Sequence, residues 1–328
     1  MDLFKIIVDA AKAAVGVPAA AYALTSIGLN LQFGYTGLLN FGHVASMLMG
    51  AYGLAITVER GGPMWLGVIV GILLAVLLGI LWGFPTVRLR ADYLAITTIG
   101  AAEIIRLVVR SNWARPVTNG VFGIQAFADG FFDLNPIPRG FYGIGDFRFD
   151  ARQLWVMLLG WGLVFLSVWV IRRLIRSPWG RVVKAIREDE DAVASLGKNV
   201  FLYKLQSLML GGAIGALAGI VLAIDQQNVA PDFFLPLLTF YAYTIVILGG
   251  PGTVWGPVIG GVIFWFLFEF LDGFVGAAVE LGWTGDLLDS TDVGPIRFGV
   301  LGLGLMLLMI FRPQGIFGSR EEILVDDR

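Results

Sequence analysis

Asn40 and His43 sit in the stretch GYTGLLNFGH (34–43), a glycine-rich turn that carries the chain's one histidine. An amide and an imidazole there can line a polar path for a solute. They can equally satisfy backbone groups freed where a membrane helix breaks. Glu103 and Arg106 stand three apart inside an apolar run, the spacing of a helical ion pair. Ionisable groups in a membrane segment point to function by default, although near its end they can simply hold the interface. Tyr241, Tyr243 and Thr244 place hydroxyls along another apolar run, where aromatics more often pack than bind. Catalysis has little material. With one histidine and no cysteine there is no disulfide, thiolate metal site or cysteine nucleophile, and scant basis for a Ser–His–Asp triad. No metal or cofactor is expected on this chain. An ATP-binding loop is also missing: Gly197-Lys198 is followed by Asn199, and Ala192 stands where the first glycine belongs.

A second candidate surface is the charged stretch SPWGRVVKAIREDEDAVASLGKNVFLYK (177–204), set between two apolar runs. Ser177-Pro178 predicts a helix start, because proline costs nothing in the first turn. Gly197 predicts the stop, and Asp189 restarts a second short helix as its N-cap. Val182, Val183, Ile186, Val193 and Leu196 recur at helical spacing and are expected to share one sticky face. This is either a surface helix that docks into a soluble partner or an ordinary basic cytoplasmic loop.

The elements that position these residues are membrane helices. Of 328 residues, 57% are hydrophobic and 15% charged, against roughly 45–50% and 25% in soluble domains. The apolar residues form long continuous runs, unlike the alternation of a membrane barrel. Forty-four glycines suit close helix packing in lipid. Runs at 7–31, 41–58, 64–86, 93–110, 153–171, 204–224, 235–249, 254–271 and 295–311 predict an all-α, polytopic transmembrane bundle of about nine spans, roughly eight to ten. The whole chain, 1–328, reads as one membrane domain. A net charge of −2 gives no reason to expect nucleic acid as a partner. No cleavable signal peptide is expected at the start.

Orientation follows the basic residues. Arg172, Arg173, Arg176, Arg181, Lys184, Arg187, Lys198 and Lys204 share one loop, which is therefore expected inside. Alternation then places Arg88, Arg90, Arg312, Arg320 and the C-terminus on the cytoplasmic side. Arg106, Arg110 and Arg115 fall outside, against the rule. Residues 111–152 form an expected extracytoplasmic loop of turns and interfacial pieces, and 272–294 carry Glu280, Asp286, Asp289 and Asp292. Either can receive a soluble delivery protein or be a solvated loop. Two glycine-rich breaks, 34–43 and 249–253, interrupt the helical pattern on the inner side. Such breaks point to a transport pathway: Gly34, Tyr35, Gly37, Asn40, His43, Glu103, Tyr241, Gly249 and Gly250 are its candidate residues.

Several stretches together resemble the permease family of bacterial and archaeal branched-chain amino acid ABC importers, of the LivM type. They are Gly28-Leu29-Asn30, GYTGLLNFGHVASMLMGAY (34–52), RLRADYLAITTIGAAEIIRLVVRSN (88–112), the stretch 177–223, PLLTFYAYTIVILGGPGTVWGPVIG (236–260) and FRPQGIFG (311–318). Val117-Thr118-Asn119-Gly120 and Pro251 depart from the family pattern. The resemblance implies a multi-pass permease in a cytoplasmic (inner) membrane, embedded in lipid and carrying leucine, isoleucine and valine. It implies a homologous sister permease, two cytoplasmic ATPase subunits that hold ATP and Mg, and an extracytoplasmic binding protein. It further implies that 177–203 is the ATPase-coupling loop, with Arg181, Lys184, Ile186, Arg187, Glu188, Asp191, Leu196 and Gly197 as its candidate contacts. A related urea or short-amide importer is the alternative. An ion-coupled secondary transporter would need membrane carboxylates, of which Glu103, Asp225 and Glu269 are a thin supply. A membrane enzyme is the weakest of these readings, for want of a cysteine, a second histidine or a carboxylate cluster.

Overall fold

A computed structural model describes residues 3–86, 91–281, 292–312 and 314–318. Arg88, Arg90, Asp286, Asp289 and Arg320 lie outside the described residues. The described residues are mostly helical, with two small antiparallel strand pairings. In order it runs α1 (Leu3–Val15), α2 (Val17–Asn30), a π-helical turn (Leu31–Tyr35), α3 (Val44–Glu59), α4 (Met64–Thr86) and α5 (Ala91–Arg110). Then come α6 (Arg115–Thr118), β1 (Ile124–Gln125), α7 (Asp129–Asp133), β2 (Phe141–Ile144) and β3 (Phe147–Asp150). The remainder is α8 (Ala151–Arg176), α9 (Pro178–Glu188), α10 (Glu190–Ser195), α11 (Val200–Gln226), β4 (Asn228–Val229), α12 (Leu237–Gly249), α13 (Gly256–Glu280) and α14 (Val293–Phe311).

Six of these helical segments are long and apolar enough to cross a membrane: 64–85, 151–176, 200–226, 231–249, 256–279 and 293–311. Helix α3 is apolar but shorter. Helix α5 is long, but Glu103 and Arg106 interrupt its apolar surface. The run expected as one segment at 7–31 is two helices, parted at Gly16. Pro18 lies in the first turn of α2; it lacks the N–H that would continue the α1 ladder, so the helix restarts there.

Helix α11 forms the centre, packed by α2, α3 and α4, with 72% of its most apolar window buried. Helix α14 has none buried. Large apolar side chains on α4 (Trp65, Leu73, Leu81), α5 (Ile96, Ile104) and α14 (Ile310, Phe311) point outward, as surfaces facing lipid must. Small residues let the inner helices touch backbone to backbone. At the α3–α4 crossing a Cβ on Gly53 would overlap Gly71 Cα, and one on Gly71 would lie 2.7 Å from the Gly50 carbonyl. Such contact supplies packing where no hydrophobic drive operates between lipid-embedded helices.

The ends of the bundle sort into two faces. On one, β1 pairs with β4 (Ile124↔Val229), and α5 meets the turn Pro231–Phe233 that leads into α12. The hairpin β2–β3, turning at Gly145 (φ +59°), leads into α8. Asp150 caps that helix: its carboxylate accepts from the Arg152 N–H at 3.3 Å, and Gln153 Oε1 accepts from the Asp150 N–H at 3.4 Å. At the other face lie 31–43, α9–α10, 249–255 and 314–318.

Because the α3–α4 crossing has no room for a side chain, Gly53→Leu should lower the thermal unfolding midpoint of the detergent-solubilised chain, at a cost of about 1–3 kcal/mol. Gly162→Leu, with nothing within 4 Å of its Cβ position, should leave it within a degree or so. Equal midpoints for the two variants would refute the close-packed crossing.

Candidate functional site

The first break begins as α2 widens into the π turn and then leaves helical geometry. Most polar side chains around it are used on the backbone or on a neighbour. Thr36 Oγ1 donates to the Leu31 carbonyl at 2.8 Å and lies 2.7 Å from Ser207 Oγ on α11. Asn40 donates to Gln32 Oε1 at 2.9 Å, while its own Oδ1 accepts from the Gly42 N–H at 3.0 Å. Gln32 in turn donates to the Leu208 carbonyl at 3.1 Å. The N–H groups that open α3 are held from other helices: Phe41 N–H by Thr98 Oγ1 and Val44 N–H by Thr239 Oγ1. Asn40 thus braces the turn. Of its two sequence readings, satisfaction of freed backbone is the one its contacts express.

The second break, Gly249–Thr253, lies directly against the first. Asn30 joins them: its Nδ2 donates to the Thr253 carbonyl at 2.8 Å, and its Oδ1 accepts from the Gly252 N–H at 2.9 Å. Gly34 fits beneath this clasp because a Cβ there would overlap the Asn30 amide and come within 2.5 Å of the Gly252 nitrogen. Gly250 adopts φ +111°, a conformation that favours glycine. The turn 314–318 docks on the same spot, its Ile316 and Phe317 N–H groups donating to the Leu248 and Gly249 carbonyls at 3.0 and 3.2 Å. Asn30 was quoted within a motif but was not a candidate pathway residue. Its only sequence signal is a lone amide ending an apolar run.

The charged stretch packs on this junction. Helix α9 starts at Pro178, and Asp189 caps α10 by accepting from the Asp191 and Ala192 N–H groups at 3.0 and 2.9 Å. Gly197 follows at φ +75°. From α9, Arg187 Nη1 donates to the Gly34 carbonyl at 2.6 Å. A Cβ on Gly37, itself at φ +75°, would touch Arg187 Cγ at 3.4 Å, and Lys184 Nζ stands 5.7 Å from the Tyr35 ring centroid. The expected sticky face is only partly turned inward: Val183, Ile186 and Val193 are buried in the chain's own core, Val182 is half-buried and Leu196 points out. Of the candidate contacts on this stretch, Ile186 is the one that is buried. Arg181, Lys184, Glu188, Asp191 and Gly197 are exposed, and Leu196 stands 80% exposed. Lys204 and Glu190 form an ion pair that ties α10 to α11. A groove of about 430 Å³ runs between α9 and the first break, past Gly37 and Arg187.

Two other candidates lie elsewhere. Arg106 binds Glu103 through Nε (2.9 Å) and Nη2 (2.5 Å), and reaches Asp232 Oδ1 with Nη1 at 2.7 Å. Arg110 stands 3.5 Å from the other Asp232 oxygen. Asp232 precedes α12 and Gly249 ends it, so this ion network occupies the opposite end of the bundle from the breaks. Asp232 was not anticipated, since nothing in sequence ties it to a helix 126 positions away. Tyr241 sits among Tyr22, Phe264, Phe268 and Phe298, with ring centroids 5.6–6.1 Å away, and belongs to an aromatic packing cluster. His43 is fully buried where α2, α3 and α11 meet, against Gly28 and Gly215. The junction therefore gathers Gly34, Tyr35, Gly37, Gly249 and Gly250, braced by Asn40, without Glu103 or Tyr241.

Residues 13–310 match the family described as branched-chain amino acid transport system, permease component. Among curated proteins, the chain is 31% identical over 312 residues to the high-affinity branched-chain amino acid transport system permease protein LivM of Escherichia coli, covering 90% of this chain and 67% of that one. A probable LivM permease of Methanocaldococcus jannaschii is 27% identical, with 92% of each chain covered. The LivH permease of Escherichia coli is 25% identical, again over 92% of each.

The Asn30 clasp is open to a direct test. Asn30→Leu leaves the Gly252 N–H and the Thr253 carbonyl without those partners, each buried loss costing about 1–3 kcal/mol. Thermal unfolding should shift down by several degrees, and amides 250–253 should exchange faster with deuterium. Unchanged exchange at 250–253 would show that the clasp does not hold the second break.

Proposed function

Since this chain belongs to the branched-chain amino acid transport permease family, we propose that it is the membrane-spanning subunit of an ATP-driven importer of leucine, isoleucine and valine. The names of its relatives support the substrate class. Importers of this kind pair two permeases, take solute from an extracytoplasmic binding protein, and draw energy from two cytoplasmic ATPases. ATP and Mg belong to those ATPases, and this chain carries no catalytic site of its own.

The observation that carries the mechanism is the hydrogen bond from Arg187 to the Gly34 carbonyl. It connects α9, the proposed ATPase-docking element, to the place where both helix breaks meet. Closure of the ATPases moves α9 and α10 as one piece, since Val183, Ile186 and Val193 root them in the bundle. Arg187 transmits that movement to Gly34, and Asn30 carries it on to Gly252 and Thr253. The exposed residues Arg181, Lys184, Glu188, Asp191, Leu196 and Gly197 present the docking surface. The breaks border the pathway, which alternates between outward and inward access at the interface with the sister permease.

Nine crossings follow if α1 and α2 count together, joined by α3, α4, α5, α8, α11, α12, α13 and α14. The clustering of 31–43, α9–α10, 249–255 and 314–318 on one face supports this count, because nine alternating spans bring all four to one side. That side is cytoplasmic by its basic residues, so the C-terminus is cytoplasmic. The segment 111–152 and the 281–292 connection then face outward.

Gentle detergent extraction from native cells, followed by mass spectrometry, should recover two ATPases and a second permease with this chain. Recovery of the chain alone after cross-linking would refute the assignment to an ATP-driven assembly. Within the reconstituted importer, Arg187→Gln should keep ATPase association while lowering leucine uptake per ATP by about tenfold to a hundredfold, since a charge-assisted hydrogen bond is worth about 1.5–3 kcal/mol. Wild-type stoichiometry in that variant would remove Arg187 from the coupling path. Uptake of urea in place of leucine would reassign the cargo.

A further inference from the structure

We propose that the last two turns of α8 form a binding site for the phosphate headgroup of an anionic phospholipid. Trp169, Arg172, Arg173 and Arg176 follow each other at i, i+3, i+4 and i+7, so they share one helix face. With Ser177 they line an open groove of about 620 Å³. The three arginines are exposed, and among the described residues none of them forms an ion pair with a carboxylate. Lys12, Arg106, Arg110, Arg187, Lys204 and Arg297 each have a carboxylate within ion-pair distance. Other exposed cations such as Arg181 and Lys184 have none among the described residues, but none of these stands with two further unpaired arginines on one helix face. Positive charge is therefore concentrated and uncompensated at this corner.

The corner is also placed at the edge of the lipid surface. Just before the arginines, α8 exposes Phe165 (55%), Leu166 (53%) and Trp169 (57%), an apolar face that acyl chains cover favourably. The Arg173 guanidinium lies 5.7 Å from the Trp169 ring centroid, so the indole pre-positions one cation where the surface turns from apolar to charged. Guanidinium groups match a phosphodiester through paired N–H donors, and basic pockets beside membrane helices hold acidic headgroups. A zwitterionic headgroup would bring its own cation against three arginines. A net-negative lipid fits, its tails lying along Phe165 and Leu166. This argument rests on α8 facing lipid and not on the coupling role of α9. If α9 does couple, the bound lipid anchors the corner at Ser177 from which α9 departs.

The test is native mass spectrometry of the full chain in detergent, titrated separately with phosphatidylglycerol and phosphatidylcholine, each with and without millimolar inorganic phosphate. Phosphatidylglycerol should remain bound at higher collision energy and with at least about tenfold higher affinity than phosphatidylcholine, undisturbed by inorganic phosphate. The triple variant Arg172→Gln, Arg173→Gln, Arg176→Gln should lose that preference, while the corresponding triple Lys variant keeps it to within about threefold. Should the glutamine triple fail to stay monodisperse, Arg173→Gln alone should show a partial loss. Equal retention of both lipids, or an unchanged preference in the glutamine variants, would overturn the proposal. Displacement by inorganic phosphate would reassign the groove to a soluble anion and overturn the lipid assignment.

Discussion

A backbone that leaves the helix at membrane depth must have its N–H and C=O groups met by the protein, because lipid offers no partners. The arrangement around residues 31–43 and 249–253 follows from that constraint. Asn30, Thr36, Asn40, Thr98 and Thr239 all spend hydrogen-bonding capacity on main-chain groups. The second break takes two of its partners from the residue that ends α2, and so the two breaks are held together by the amide of Asn30. A polar residue here is structural before it is anything else. What these residues brace is itself the junction between helices.

The same constraint explains how α9 engages the bundle. An apolar helix face buried in the core fixes position but passes on no direction at the break. A guanidinium has fixed donor geometry, and Arg187 uses it on the one carbonyl, that of Gly34, which lies next to the Asn30 clasp. Gly34 and Gly37 are small where the α9 side chain and the 252 backbone approach, so a larger residue would push these layers apart. The charge pairs at the opposite face act differently. The Arg106–Glu103–Asp232 network links α5 to the start of α12 at the end of the bundle away from the breaks, and pairs both Arg106 and Arg110 with carboxylates.

Local signals were legible in the sequence and long-range partners were not. The start of α9 at Ser177-Pro178, the Asp189 cap and the Gly197 stop all follow from side chains acting within a few residues of themselves. Periodicity grouped Val182, Val183, Ile186, Val193 and Leu196 as one apolar face, of which Val183, Ile186 and Val193 are buried and Leu196 is exposed. It could not say which way that face turns, because an inward and an outward face have the same spacing; the core claimed most of it. The break at Gly16 was hidden inside a continuous apolar run, since hydropathy is blind to the missing N–H of Pro18. Asn30 and Asp232 were missed as site residues for one shared reason: their roles exist only through groups more than a hundred positions away.

His43 shows how tightly the first break is set into the bundle. The ring is fully buried, and a Cβ on Gly28 or Gly215 would come within 3.2 or 2.8 Å of its Nε2, so only glycine leaves it room between α2 and α11. Beside it the two helices meet directly: a Cβ on Gly28 would lie 2.5 Å from the Gly211 carbonyl. One turn further on they are bonded as well, with Gln32 donating to the Leu208 carbonyl and Ser207 Oγ to the Leu31 carbonyl. The end of α2 is therefore held to α11 by packing and by directional bonds at once, and the first break departs from a fixed point rather than from a free helix end.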